Sequence, residues 1–340
     1  MQKLNSKFFI SKNSSDILNL KKDFFKNNKL YLKKALKLNK LYAQQPKRIL
    51  CKICNSKKKI FFLNSFNINY YLCPKCQHIN GAFQETDNFL KKLYNKGSGA
   101  KNIYASYSKD YNERIKKIYN PKVKFLKKII KRKKCVLDIG SGAGHFLKAL
   151  EINGIKAIGY ETNENLNKLA NKFLKNNKSV NININSAIKL IKGEKNANIL
   201  SLIGVLEHVS SVQTVLEAYK SSRIKYLYIS VPIFSLTSFI ENAFQNIYPR
   251  HLSGGHTHLF TKNSLNFIKK KYNLSIAGEW WFGNDFVDLY RVIYLNQKSL
   301  DKKEYIKIFK NNFIKYLDSM QKILDKNKIS SEVHIIFKKN

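Results

Sequence analysis

The sequence predicts an α/β protein: a parallel sheet of seven strands with crossover helices, preceded by a small metal-stapled unit. Three observations point there. From residue 120 onward, strand-length apolar runs alternate with helix-length amphipathic stretches, the pattern of a parallel sheet. The first of those runs leads straight into three closely spaced glycines, which let a backbone turn sharply and approach a ligand. Four of the five cysteines stand in two Cys-x-x-Cys pairs within residues 49–83.

The elements follow in order. Residues 1–48 are rich in lysine and asparagine, with a helical stretch at 30–42, and form an N-terminal extension without recognisable chemistry. Residues 49–83 form the cysteine module, with β-type runs at 60–63 and 70–72. Residues 84–119 read as a linker, with Gly97, Ser98 and Gly99 in its middle, and a covering helix. On that helix Tyr104, Tyr107 and Tyr111 share one face, read as core. The large domain spans 120–340. Pro121 suits a first helical position, and Val123, Phe125, Leu126, Ile129 and Ile130 give that helix its apolar face. Strands are expected at 135–139, 156–160, 180–184, 198–203, 226–231, 274–279 and 332–337. Helices are expected at 143–153, 164–175, 285–294 and 303–324, the last two between the sixth strand and the final one.

Composition limits the function classes. With 340 residues and 44% hydrophobic content the chain can fill a packed core. It contains no uncharged apolar run of membrane-spanning length, and its N-terminus lacks the apolar core of a signal peptide, so a cytoplasmic protein without membrane insertion is expected. The formal charge of +41 by itself suggests nucleic acid or an anionic membrane surface. The basic residues, however, are nearly all lysine, with arginine only at positions 48, 114, 132, 223, 250 and 291. Together with abundant asparagine and isoleucine this reads as a codon bias, not as a phosphate-binding surface. The lysines of 122–134 are the exception, able to attract a phosphorylated substrate.

Cys51-x-x-Cys54, eighteen intervening residues and Cys73-x-x-Cys76 have the spacing of a two-knuckle structural zinc site. Four thiolates complete a tetrahedron and leave no open position for water. Disulfides or an empty remnant are the competing readings. Cys135 opens the first strand and reads as a small buried hydrophobe.

After residues 136–139 comes Gly140-Ser141-Gly142-Ala143-Gly144, with Asp138 two residues before the first glycine. Glu161 closes the next strand, where a carboxylate can accept both ribose hydroxyls of a nucleoside. Nicotinamide enzymes use a similar glycine turn, so the turn alone is weak evidence. With the G-x-G-x-G spacing and both acids, residues 120–340 resemble the class I S-adenosylmethionine-dependent methyltransferases. The resemblance implies a Rossmann-like, mostly parallel sheet with an antiparallel last strand. It also implies that Gly140, Ser141, Gly142 and Gly144 cradle the cofactor's methionine portion with Asp138, and that Glu161 takes its ribose. Leu206-Glu207-His208-Val209 looks like the family's segment beside the acceptor. The histidines at 251, 256 and 258 resemble a feature of a branch that modifies small molecules. Two positions depart from the pattern. Asn185 and Ser186 stand where an acid usually holds the adenine amino group, and Asn198 opens strand four in place of Asp.

Methyl transfer to a hydroxyl or a carbon acid needs a base as well as alignment. His208 leads the candidates, with Glu207 as alternative base or helix cap and His251 as an acceptor contact. The three late histidines, taken as a second metal site, lack a nearby carboxylate. Trp280 and Trp281 are expected after strand six as core or pocket wall. A zinc module ahead of such a domain is similar to the sugar C-methyltransferases, which act on nucleotide-linked deoxysugar ketones. The expected acceptor is therefore a small molecule or glycan, a nucleotide sugar among them. RNA methylation and a catalytically inactive cofactor-binding scaffold are the alternatives, and the oligomeric state is left open.

Overall fold

The computed structural model describes residues 13–94, 110–132, 134–183, 186–253, 255–300 and 302–340. Tyr104, Tyr107, Asn185, Gly254 and the Gly97–Gly99 turn therefore lie outside the described residues.

Two sheets organise the chain. The larger is built from β4 (Cys135–Ile139), β5 (Lys156–Glu161), β6 (Lys178–Asn181), β7 (Ile199–Ile203), β8 (Tyr226–Pro232), β10 (Leu274–Phe282) and β11 (Glu332–Lys339). Their spatial order is β10-β11-β8-β7-β4-β5-β6. β4 to β8 pair in parallel, while β11 runs antiparallel to both β8 and β10. This is the seven-stranded, Rossmann-like α/β sheet with an antiparallel last strand. The smaller sheet is β1 (Ile60–Ser65), β2 (Ile68–Leu72), β3 (Ile79–Gly81) and, from far along the chain, β9 (His258–Leu259).

Period-2 side-chain alternation places the core on both faces of the large sheet. Leu137, Ile139, Leu227, Ile229, Val231, Val333, Ile335 and Phe337 pack on one face. Val136, Tyr228 and Ile336, from the intervening positions, pack on the other with Phe125, Leu126 and Phe146. The cysteine module does not stand apart. Cys51, Ile53, Cys73 and Cys76 belong to the first of these clusters, together with Leu206 and Val212.

Some boundaries differ from the sequence expectation. β6 lies at Lys178–Asn181, earlier than 180–184, because the outermost strand is set by its one neighbour, with Ile158 opposite Lys178 and Tyr160 opposite Val180. β10 continues to Phe282, so Trp280 and Trp281 are inside it, both buried, and not beyond its end. The expected helix 303–324 is divided by a 3₁₀ turn, Ile314–Tyr316, into Lys303–Phe313 and Leu317–Lys326. Among the described residues no helix is long and apolar enough to cross a membrane.

Candidate active site

The turn after β4 is built by its glycines. Gly140, Gly142 and Gly144 have φ of +72°, +56° and +76°, a left-handed region that side-chain-bearing residues rarely adopt. Crowding separates their roles. A Cβ on Gly140 would meet Val205 Cγ2 at 2.7 Å, and one on Gly144 would meet Ala170 Cβ at 2.7 Å, whereas Gly142 has nothing within 4 Å. Two glycines thus serve close packing and the middle one faces open space. The amides of Gly140 and Ser141 donate to Tyr160 O at 2.8 and 3.1 Å, tying the turn to β5.

Glu161, the last residue of β5, brings its buried carboxylate against the turn. Gly142 N donates to Oε2 and Asn163 N to Oε1, each at 2.8 Å. Asn163 in turn caps the helix Glu164–Phe173, its side chain accepting from Leu166 N. Asp138, on β4, accepts from the Ser201 hydroxyl. Burial pushes its carboxyl up to about 7, the Ser201 hydrogen bond opposes that rise, and the nearby Glu161 charge adds to it.

These residues line one cavity of about 540 Å³, which extends past Val205 to His208. That volume lies inside the roughly 300–1,000 Å³ usual for small-molecule sites. Of the residues expected at a cofactor, Asp138, Gly140, Ser141, Gly142 and Glu161 line it. Gly144 instead packs against Ala170 of the helix Glu164–Phe173, and Ser186 begins the helix Ser186–Gly193 without lining the cavity. The next residues, Ala187, Ile188 and Ile191, join Ile182 in an apolar wall. Sequence reasoning missed Asp87, Leu90, Tyr119, His145, Tyr160 and Thr162, which also line the cavity. Tyr111, buried, stacks on His145 and on Phe173, with ring centroids 4.3 and 3.8 Å apart, and its hydroxyl donates to Ala143 O. Among the described residues of 122–134 no lysine lines the cavity, and Lys122 is buried with its ammonium 4.8 Å from the Tyr119 ring centroid.

At the far end of the cavity, Leu206–His208 form a 3₁₀ turn after β7. His208 Nδ1 lies 3.0 Å from Gly255 O, and because a carbonyl only accepts, the ring proton sits on Nδ1. Burial lowers the His208 pKa to about 4, so the imidazole is neutral at neutral pH. Glu207 is buried and does not line the cavity. Burial pushes its carboxyl up to about 8, and Oε2 has no hydrogen-bond partner. It does not cap the helix after β7: that helix, Val212–Ser221, is capped by Ser211, whose hydroxyl accepts from Thr214 N.

The three late histidines part company. His251 is buried outside the cavity lining, and its backbone amide donates to the Glu241 carboxylate. His258 pairs with His78 at 2.8 Å. His256 stands beside His208, ring centroids 4.9 Å apart. The expectation that no carboxylate stands near these histidines is corrected: donor atoms of Glu207, His208 and His256 all lie within 4.8 Å of one another. Trp280 and Trp281 do not line the cavity, and Trp281 Nε1 donates to Glu279.

The cysteines form two knuckles of the same construction. In the first, Cys51 N donates to Ser56 O and Asn55 N to Cys51 O; in the second, Cys73 N donates to His78 O and Gln77 N to Cys73 O. Asn55 and Gln77, at equivalent places, both have φ of +56°. The knuckles face each other with Sγ separations of 3.5 Å (Cys51–Cys76) and 3.4 Å (Cys54–Cys73), and all four sulfurs lie within 4.8 Å. Four thiolates about 2.3 Å from one ion stand roughly 3.8 Å apart, so this donor set fits zinc. Cys135 lies apart from them at the start of β4, where its amide donates to the Asn198 side chain. The first knuckle is fastened to the loop after His208. Lys52, buried between Cys51 and Cys54, donates to Glu85 at 2.7 Å and to Val209 O at 2.8 Å, and Gln213 Nε2 donates to Ile53 O.

A family model described as a methyltransferase domain matches residues 111–277, in agreement with this architecture. No curated protein matches the chain. Among solved structures, an S-adenosylmethionine-dependent methyltransferase from Archaeoglobus fulgidus is 22% identical, with a TM-score of 0.42 over 68% of this chain and 100% of that one. A magnesium protoporphyrin IX methyltransferase from Synechocystis PCC 6803 is 9% identical, with a TM-score of 0.43 over 75% of this chain and 94% of its own.

Proposed function

We propose, from the premise that the chain is an S-adenosylmethionine-dependent methyltransferase, that it methylates a small or glycan-type acceptor held between the glycine turn and His208. The observation that carries this reading is the continuity of one cavity from the Gly140–Gly142 turn and Glu161 to the His208 ring. The residues fit the cofactor. Gly142 leaves room where a Cβ would project, Glu161 offers a carboxylate at the end of β5, and Ile182, Ile188 and Ile191 give an apolar surface for an adenine. The cofactor, when bound, supplies a methyl group on a cationic sulfur. Everything else is the work of the chain. Gly140, Ser141 and Gly142 hold the amino-acid end with Asp138, Glu161 holds the ribose, and Ala187 and Ile188, just after Ser186, meet the base. His208 faces the acceptor, and with its ring proton on Nδ1 its Nε2 takes the proton that an acceptor oxygen or carbon gives up as the methyl group arrives. Alignment of the reacting atoms can by itself supply roughly 7–11 kcal/mol of the barrier.

Zinc, held by Cys51, Cys54, Cys73 and Cys76, would be structural, since no coordination position is left for a substrate. A nucleotide sugar is one acceptor that fits this reading, and a walled cavity favours a small acceptor over a polynucleotide. The test is calorimetry with S-adenosylhomocysteine, on the wild type and on Glu161→Ala. Micromolar binding lost in the variant supports the reading. Failure of the wild type to bind it, with uptake of a nicotinamide dinucleotide instead, would overturn it.

A further inference from the structure

Around His208, at the acceptor end of the cavity, three donors of the kind that hold a metal come together. Glu207 is only 5% exposed, and its Oε2 has no hydrogen-bond partner. Nδ1 of His256 is likewise buried without a partner. Leaving such an atom unsatisfied costs about 1–3 kcal/mol, so two of them in one small space call for something to complete them. With His208, one donor atom from each residue falls within a 4.8 Å span.

The surroundings of the histidines fit ligation. A metal-bound imidazole generally gives its other N–H to a carbonyl or carboxylate, which fixes ring orientation and tautomer. His208 does this, with Nδ1 on Gly255 O at 3.0 Å, leaving Nε2 as its ligating nitrogen. The backbone around His256 is tied in place by its bridge to Ser253 and, two residues on, by the pairing of β9 with β3. His208 lines the cavity while Glu207 and His256 stand behind it, so an ion held here would have protein on one side and the cavity, past His208, on the other.

We propose that Glu207, His208 and His256 bind a divalent transition-metal ion at the acceptor end of the cavity, with open coordination positions that take an oxygen of the acceptor. Two imidazoles and one carboxylate suit zinc, manganese, iron or cobalt, whereas magnesium and calcium prefer all-oxygen sites. Three protein ligands with open positions is the arrangement of a catalytic ion, in contrast to the closed set of four cysteines. The inference rests on the methyltransferase reading only in calling the ligand an acceptor oxygen. It makes His208 a ligand and assigns the acidity of the acceptor hydroxyl to the bound ion, which would lower the pKa of a coordinated oxygen so that its proton passes to water in the cavity.

Cobalt(II) separates the two sites, because thiolate ligation gives intense charge-transfer bands that nitrogen and oxygen ligation does not. Full-length protein with zinc already in its cysteine site is titrated with cobalt(II), and S-adenosylhomocysteine affinity is measured on the same samples. One cobalt per chain, with weak visible bands and no thiolate charge transfer, is expected. Glu207→Gln and His256→Ala should each weaken cobalt binding by about 100-fold. The near-isosteric Glu207→Gln decides the matter where His256→Ala fails to fold. No second metal in the wild type, or binding within threefold of wild type in Glu207→Gln, overturns the proposal. If the wild type binds S-adenosylhomocysteine but no cobalt, only the ion site falls; if it binds cobalt but no S-adenosylhomocysteine, the methyltransferase reading falls instead.

Discussion

Replacing Asp138 by Asn should stabilise the ligand-free protein at alkaline pH, leave it nearly unchanged at acid pH, and weaken the cofactor site. Asp138 is 3% exposed, and burial raises its carboxyl from an ordinary 3.8 to about 7. The folded state therefore keeps a proton that the unfolded chain has released between roughly pH 4 and pH 7. A folded pKa above the unfolded one means that this residue's contribution to stability is greatest below pH 4 and is lost as the pH rises through 7. A tenfold change in proton affinity corresponds to about 1.4 kcal/mol, so a rise from 3.8 to about 7 sets a ceiling near ~4 kcal/mol, and water in the adjoining cavity reduces it to roughly 2–4 kcal/mol. Asn keeps an oxygen for the Ser201 hydroxyl and carries no charge, so its contribution is flat with pH. Urea unfolding of wild type and Asp138→Asn from pH 4.5 to 8.5 measures the difference directly, and metal loss at low pH cancels because both share the cysteine site. The difference should grow by about 2–3 kcal/mol in favour of the variant across this range, roughly 1 kcal/mol of the effect being already lost at pH 4.5. S-adenosylhomocysteine should bind about 10- to 150-fold more weakly, the loss of one charged hydrogen bond of about 1.5–3 kcal/mol. A difference that stays constant with pH, or wild-type stability that gains on the variant as the pH rises, would refute the assignment.

Three further outcomes are expected. Gly144→Ala combines a left-handed backbone with a Cβ 2.7 Å from Ala170 Cβ and should cost about 3 kcal/mol or more in denaturant melts, while Gly142→Ala, with open space, should cost only about 1–2 kcal/mol. Lys52→Met leaves Glu85, 2% exposed, with Arg48 as its remaining ion-pair partner; stability should fall by about 3 kcal/mol, and part of the loss should return when Glu85→Gln is added. A strong chelator at neutral pH should strip the zinc from the four cysteines and lower the single thermal transition of the whole protein, because three of the four cysteines are packed in the main core. A separate low-temperature transition for the cysteine unit would contradict that last expectation.

The centre of the large sheet was legible because there local pattern and tertiary demand coincide. β4 is a buried run ending in glycines whose backbone only glycine tolerates, and Glu161 marks the end of β5 with a polar residue that the strand does not need for packing. The edges were less legible. Lys178-Ser179-Val180-Asn181 is too polar to look like a strand, yet a last strand with one neighbour needs little apolar surface. Gly278 and Glu279 looked like the end of β10, but the glycine is there because a Cβ would lie 2.5 Å from Ile129 Cδ1, and a bulge between Ile276 and Gly278 carries the strand onward through Trp280. For the cavity, residues next to the glycine turn could be named in advance. Asp87, Leu90 and Tyr119 could not, since they reach it from distant stretches with no local signal. The carboxylate beside His208 and His256 was adjacent in sequence all along. Only the fold reveals that residue 256, and not 251 or 258, closes the group.

The pairing of Ile79 with Leu259 and of Asn80 with His258 also bears on how the molecule is made. A sheet that gathers residues about 180 positions apart cannot be finished as its first three strands leave the ribosome, and closing so long a loop is slow. The thiols that open the chain's chemistry are thus translated early and enclosed late. Metal captured in that interval would meet an unfinished edge, and a truncation that begins at residue 84 would take β9's sheet partner away.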